Sequence, residues 1–546
     1  MSSQFTLKIN YVDIFNKDIF PARITVENGI IKEVSRIDEN CNNYILPAFI
    51  DSHIHIESSM LTPIEFAKAA SVFGTAAVVA DPHEIANVLG KKGVEFMINN
   101  ASNVPFKFYF GDPSCVPATT FETSGSTISI NDIQELFEKY DLKYLSEMMN
   151  VPGVIFENPE VIAKIELARK LNKKIDGHAP LLSNKELEKY INSGITTDHE
   201  CTSFAEAEEK IHKGMKIQIR CGSAANNFEE LWKLIDMYPD KIMFASDDLH
   251  PDDLIKGHIN LIVKKAIKKG VNIFNILNAA IKNPVEHYNL DLGLLRKGDD
   301  ADFIIIDNLN ENFKVLQTYC KGKLIADNGQ TLVQDKETEV INNFIAEKIK
   351  PDDIKVKANN HNKIKVIVAK NNELLTGLEV CNATINNGFI ETNIENDILK
   401  IVNLNRYATN AVPAVAFIKG IGIKKGAIAS SVAHDSHNII AVGTNDEDIA
   451  SAINLIIENK GGLAIASKNE SYILELPIAG LISNKDAKYA AEKYTILTNK
   501  AKELGTNLSA PFMTLSFLAL LVIPELKLSD KGLFDGKKFE FTEIYA

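Results

Sequence analysis

The sequence predicts an α/β protein built on a (β/α)8 barrel, with β structure contributed from both sides of the barrel region and an α+β domain at the C-terminal end. Three observations carry this. Between residues 49 and 290, strand-like apolar runs alternate with helical stretches, the rhythm of a parallel sheet or barrel. Eight such runs can be counted. Nearly all of them end in polar residues, and the C-terminal strand ends are where a barrel of this kind assembles its active site.

Composition narrows the classes of function. At 546 residues the chain exceeds one ordinary domain and can bury a large core. With 45% hydrophobic and 24% charged residues it has the balance of a soluble globular protein. A net charge of −13 and a pI near 5.5 provide no basic field for nucleic acid, which leaves a small molecule or a protein as partner. Cys41, Cys115, Cys201, Cys221, Cys320 and Cys381 show no CxxC spacing, so they read as reduced thiols rather than a disulfide framework or zinc knuckle. The N-terminal MSSQFTLKIN lacks a signal-peptide pattern, and no apolar run reaches the ~20 residues that cross a bilayer. The expected location is the cytoplasm, without membrane attachment.

Along the chain, residues 5–34 alternate apolar and polar, and Asn28-Gly29 between two such runs signals a hairpin. A matching β piece, KGDDADFIIID and VLQTYCKGKLIADNG, follows the central region. Residues 1–48 and 291–335 therefore bracket the barrel, residues 49–290, and are expected to form one β domain. After the first barrel strand, Thr62-Pro63-Ile64-Glu65 reads as a helix start with Thr62 as N-cap and Pro63 at the first helical position. Residues 336–357 are charged, polar and helix-compatible, and residues 336–363 read as a connection. Residues 364–546 mix strand and helix patterns without a repeat, as an α+β domain of their own.

The chemistry concentrates at the strand ends. On the first strand His53 and His55 lie two residues apart, so both imidazoles face one side and can hold one metal ion. The later ends add His178 in DGHAP, His199 in DHE and Asp247 in SDDLHP. Taken singly, each has an ordinary structural explanation. As a series closing successive strands they form a set of imidazoles and a carboxylate suited to zinc, manganese or ferrous iron.

That series resembles the amidohydrolase superfamily of metal-dependent hydrolases. LPAFIDSHIHIESSM, VVADPHEIANVLG, LSEMMNVPGVI, DGHAP, DHE and SDDLHPDDL, with SVAHDSHNIIAVG and LELPIAGLIS in the tail, resemble in order the motifs of its metal-dependent adenine deaminase family. Ala48 departs from the family's usual glycine. The resemblance implies a TIM-like (β/α)8 barrel flanked by a β-sandwich built from both ends of the barrel region, and a C-terminal α+β domain of adenine deaminase type. It implies two divalent metals, Mn2+ or Fe2+ with Zn2+ as an alternative. One would be held by His53, His55 and Asp247 and the other by His178 and His199, with Glu147 as the bridge and a carboxylated Lys143 as the weaker choice. It further implies hydrolysis of adenine to hypoxanthine and ammonia by metal-activated hydroxide at C6. Asp247 would shuttle the proton, and of Asp247 and Asp248 it is taken as the ligand by analogy. Glu84, and after it Asp248, would grip the purine ring nitrogens, with His83 and Glu57 also facing substrate.

His434, Asp435, His437 and Asn438 allow either a second metal site or an Asx-type turn. Other readings are a different amidohydrolase reaction, such as cyclic amide opening or amino-sugar deacetylation, and a barrel serving only as a scaffold. The HxE with PCxxC arrangement of the other zinc deaminases is absent. A homo-oligomer, with a dimer as the base-rate choice, is the expected assembly.

Overall fold

A computed structural model describes residues 4–223, 225–371, 373–468 and 470–546; residues 1–3 of the N-terminal stretch read above lie outside them. The two bracketing β pieces join as one hydrogen-bonded sheet of eight strands. Its hinge is Tyr44–Pro47, which pairs parallel with Gln4–Asp13 on one side and antiparallel with Phe303–Ile306 on the other. The N-terminal and later pieces thus share a core of Tyr11, Ile24, Val26, Ile45, Phe303 and Ile305. The Asn28-Gly29 hairpin forms with both residues at positive φ, 52° and 78°. A Cβ on Gly29 would lie 2.5 Å from the Lys321 carbonyl oxygen, so only glycine fits that approach of the two β pieces.

The described residues form two compact units. The first holds the β sheet and the barrel. The second is the C-terminal region from Thr338 together with Glu84–Val94 and Cys115–Ile128, two segments that sequence had placed inside the barrel region. Their polar groups explain the assignment. Asn343 Nδ2 donates to the carbonyls of Val88 at 3.3 Å and Gly125 at 3.2 Å, Thr123 N donates to Asp530 at 2.9 Å, and Phe121 packs against Phe534.

The second unit is α+β. Its main sheet has eight strands, and the helices Asp446–Asn459 and Ala487–Glu503 pack against it. The stretch read as helix-compatible is not helical from Lys336 to Lys350. Phe344, Ala346 and Ile349 enter the core, while the N–H groups of Ile345 and Ala346 bond to Arg406 O and that of Ile349 to Asn454. With those partners the backbone is satisfied in extended form, and a helix would lose the alternate burial.

The barrel has the eight parallel strands expected: Phe49–Ile54, Thr75–Ala80, Lys107–Asp112, Tyr144–Met148, Lys174–Gly177, Thr197–Asp198, Lys216–Arg220 and Ile242–Ala245. Thr75–Ala80, TAAVVA, is buried throughout, as a strand covered on both faces must be. The helix Pro63–Ser71 starts as predicted, Thr62 accepting the Glu65 N–H. Among the described residues no helix is long and apolar enough to cross a membrane.

Closure of the ring sets the position of the first histidines. Asp247 N donates to His53 O at 2.9 Å, His55 N to Asp247 O at 3.2 Å, and Ser52 Oγ to Phe244 O at 2.8 Å. Asp51, fully buried, reinforces the seam: Oδ1 accepts the N–H groups of His53 and Ser246, both at 3.1 Å, while Oδ2 meets Ser246 Oγ and His258 Nε2. Replacing Asp51 with Ala orphans these donors, with an expected cost of about 3 kcal/mol in urea unfolding. Asn, which retains an acceptor, should cost less. A change below about 0.5 kcal/mol for Ala, the scale of an uninvolved surface site, would show that the seam does not depend on it.

Candidate metal centre

Each ligand candidate sits at or just beyond a strand end, where the backbone leaves the sheet and side chains converge. His53 and His55 close the first strand on one side. Glu147 is next to last in the fourth, His178 follows the fifth, His199 the sixth, and Asp247 stands two residues past the eighth. Asp247 has φ of 56°, a left-handed conformation strained for a non-glycine residue and fixed here by its two backbone bonds to the first strand.

The six side chains meet in one cluster, five of them buried and His178 half-buried. Asp247 Oδ1 lies 3.5 Å from His53 Nε2 and 3.2 Å from His55 Nε2. Glu147 divides its oxygens: Oε1 is 3.4 Å from His55 Nε2, whereas Oε2 is 2.9 Å from His178 Nδ1 and 3.2 Å from His199 Nε2. The His53 and His199 rings stack with centroids 4.2 Å apart. Both ring nitrogens of His53 and Nδ1 of His199 are buried without a hydrogen-bond partner. Buried imidazole nitrogens left in that state, beside two carboxylates, fit a divalent cation of borderline type.

Electrostatics reflect this crowding. Burial opposes ionisation of Glu147, but His178 first and then His199 and His55 hold its carboxyl well below the usual range. Burial likewise opposes ionisation of Asp247; the Arg220 guanidinium, then His53 and His55, hold it well below that range. His178 is pushed up to about 9, its burial outweighed by Glu200 and Glu147. His53 is lowered by burial and by neighbouring His199.

The other predicted residues each have partners of their own. His83 Nδ1 is 3.2 Å from Asp81 and 3.6 Å from Glu147 Oε1. Asp248 is buried and accepts Ser58 Oγ–H at 2.5 Å, and Glu57 is buried in the turn Ile56–Ser59. Lys143 precedes the fourth strand, and its Nζ pairs with the exposed Asp141 at 2.6 Å rather than with any ligand candidate. Glu84 has both carboxylate oxygens engaged, Oε1 by His434 Nδ1 and Oε2 by His437 Nε2. Glu200 and Arg220 read from sequence only as polar strand ends, without a role. Glu200 lies 3.4 Å from His199 and 3.7 Å from His178, and Arg220 Nη1 bridges Glu200 and Asp247. Their signal was present: both close barrel strands in the same series as the histidines.

Comparison with known proteins follows the same lines. The Amidohydrolase family profile matches residues 44–325, and that of the Adenine deaminase C-terminal domain matches residues 373–540. An adenine deaminase from Methanosarcina mazei is 51% identical over 98% of both chains, and one from Sulfurovum sp. is 53% identical over 98% of this chain and 99% of its own. Among solved structures, a β-aspartyl dipeptidase from Fervidobacterium islandicum aligns with TM-score 0.47 at 15% identity, over 62% of this chain and all of its own.

The region matched by the second profile contains the HDSH run, and its partners in the second unit are titratable. Burial and then Asp435 raise the Glu122 carboxyl to about 8, against hydrogen bonds from Thr119 and Ser436. The folded unit therefore holds this proton more tightly than an unfolded chain, where the value is 4.5. The associated stability is full below about pH 4.5 and is lost as pH rises to about 8. Glu122→Gln is accordingly expected to raise the thermal midpoint over wild type at pH 8 and to lose that advantage near pH 4.5. A midpoint difference independent of pH would contradict the assignment.

Proposed function

This chain belongs to the adenine deaminase family of the amidohydrolases, and from that premise we propose that it hydrolyses adenine to hypoxanthine and ammonia at the clustered strand ends of its barrel. The observation that carries the site assignment is Glu147, whose two oxygens face separate sets of imidazoles. In this reading His53, His55 and Asp247 would hold one divalent ion and His178 and His199 a second, with Glu147 shared between them. Manganese or ferrous iron suits the mixed nitrogen and oxygen set, and zinc is also compatible. When bound, such a pair supplies a water acidic enough to react as hydroxide near neutral pH.

The chain's own residues organise the rest. Asp247, kept ionised by Arg220 and the two histidines, is placed to accept the proton released as water adds to C6 and to deliver it to the exocyclic amine. The C6–N bond then breaks, ammonia leaves, and the water oxygen remains on C6. His83 and Asp248 are assigned first to the ring nitrogens, because both are buried within or beside the cluster. Glu57, buried in the turn that follows His55, is the remaining substrate-facing candidate. A net charge of −13, without a basic field, and the composition of a soluble globular protein support a cytoplasmic enzyme acting on a small molecule, and a homo-oligomer is the base-rate assembly.

Protein purified with manganese or iron is expected to release ammonia from adenine and not from guanine or cytosine. Preference for adenosine over adenine, or no turnover of any of these, would overturn the substrate assignment. Asp247→Ala is expected to lower kcat by roughly 10²-fold or more, the scale of general acid–base catalysis.

A further inference from the structure

The loops carrying His178 and His199 are joined by a buried ion cluster that no step above uses. Lys210, on the helix Phe204–His212, is fully buried. Its Nζ donates to Ala179 O at 2.7 Å, Asp198 Oδ2 at 2.8 Å and Glu206 Oε1 at 2.8 Å, which accounts for all three of its protons. Asp198, also fully buried, accepts the Ala179 N–H through Oδ1 at 2.8 Å and the Cys201 thiol through Oδ2 at 3.1 Å.

The consequence is a two-sided grip. The residue after His178 is held at its N–H by Asp198 and at its carbonyl by Lys210, and Asp198 is itself the residue before His199. Glu206 repeats the pattern one step further out, accepting Leu181 N–H at 2.8 Å and Thr202 N–H at 3.0 Å. Leu181 has φ of 61°, a conformation a branched side chain keeps only where its surroundings impose it. Buried ion pairs contribute little net stability compared with apolar packing of the same volume, but charge-assisted hydrogen bonds fix geometry. His178 Nδ1 and His199 Nε2 both face Glu147 Oε2, at 2.9 and 3.2 Å, so their separation is the quantity such a link would hold.

We infer that Asp198, Lys210 and Glu206 are positioning residues that set the spacing of His178 and His199 and thereby the affinity of the second metal ion, relative to that held by His53, His55 and Asp247. The inference rests on the proposed reading of His178 and His199 as ligands. Supporting groups that orient metal ligands typically alter affinity by about 10–100-fold.

The test is a Mn2+ titration of metal-free, full-length protein, with free Mn2+ read by electron paramagnetic resonance. Wild type should take up two ions. Lys210→Met should bind the first as wild type does and the second about 10–100-fold more weakly, with kcat recovering at saturating Mn2+. A merely structural role would lower the thermal midpoint while leaving both affinities in place and kcat insensitive to added metal; that result overturns the inference, as does equal weakening of both ions. If Lys210→Met does not fold, Glu206→Gln is read by the same titration. Selective weakening of the second ion supports the inference, and a wild-type curve overturns it. A wild type that binds a single ion removes the premise, and the inference falls with the two-metal reading.

Discussion

Glu147 places one oxygen 3.4 Å from His55 and the other 2.9 and 3.2 Å from His178 and His199, inside a barrel end from which water is largely excluded. Four imidazoles brought this close repel one another once protonated, and a lone buried carboxylate is costly to ionise. Each makes the other tenable. The arrangement favours positive charge between the rings, which a divalent metal of the kind the amidohydrolase family implies would supply. The raised His178 and the depressed Glu147 and Asp247 are three expressions of that single requirement. The rest of the first unit is consistent with serving it. Barrel closure brings Asp247 back to the first strand, and Asp51 holds the strand that carries His53 and His55 to the eighth.

Much of this was legible in the residues. Two histidines spaced by one on a strand must share a side, and a series of polar residues closing eight apolar runs describes one end of a barrel. The structure has those eight strands, and it brings His53, His55, Glu147, His178, His199 and Asp247 into one cluster. The Thr62-Pro63 helix start and the Asn28-Gly29 turn were equally readable, since each depends on local backbone chemistry that a few residues specify.

What escaped was non-local. Nothing in residues 84–94 or 115–128 marks them as belonging with the C-terminal region, because their partners, Asn343, Asp530 and Phe534, lie hundreds of positions away. The extended stretch Lys336 to Lys350 looked helix-compatible because its charges suit a helix surface, whereas its burial follows Phe344 and Ala346 two residues apart. Glu84 reads from sequence as a purine contact or a salt-bridged strand end, and its two histidine partners, more than 340 positions onward, could not be read there. Arg220 and Glu200 were visible at strand ends without a rule to give them a task, and only the geometry shows Arg220 holding Asp247.

Whether two ions share Glu147 can be seen in crystals grown with manganese and measured at the manganese absorption edge. Two anomalous peaks are expected in the barrel cluster, one against His53, His55 and Asp247 and one against His178 and His199, with Glu147 reaching both. A single peak there, or strong density against Glu84, His434 and His437 in place of the barrel cluster, would contradict it.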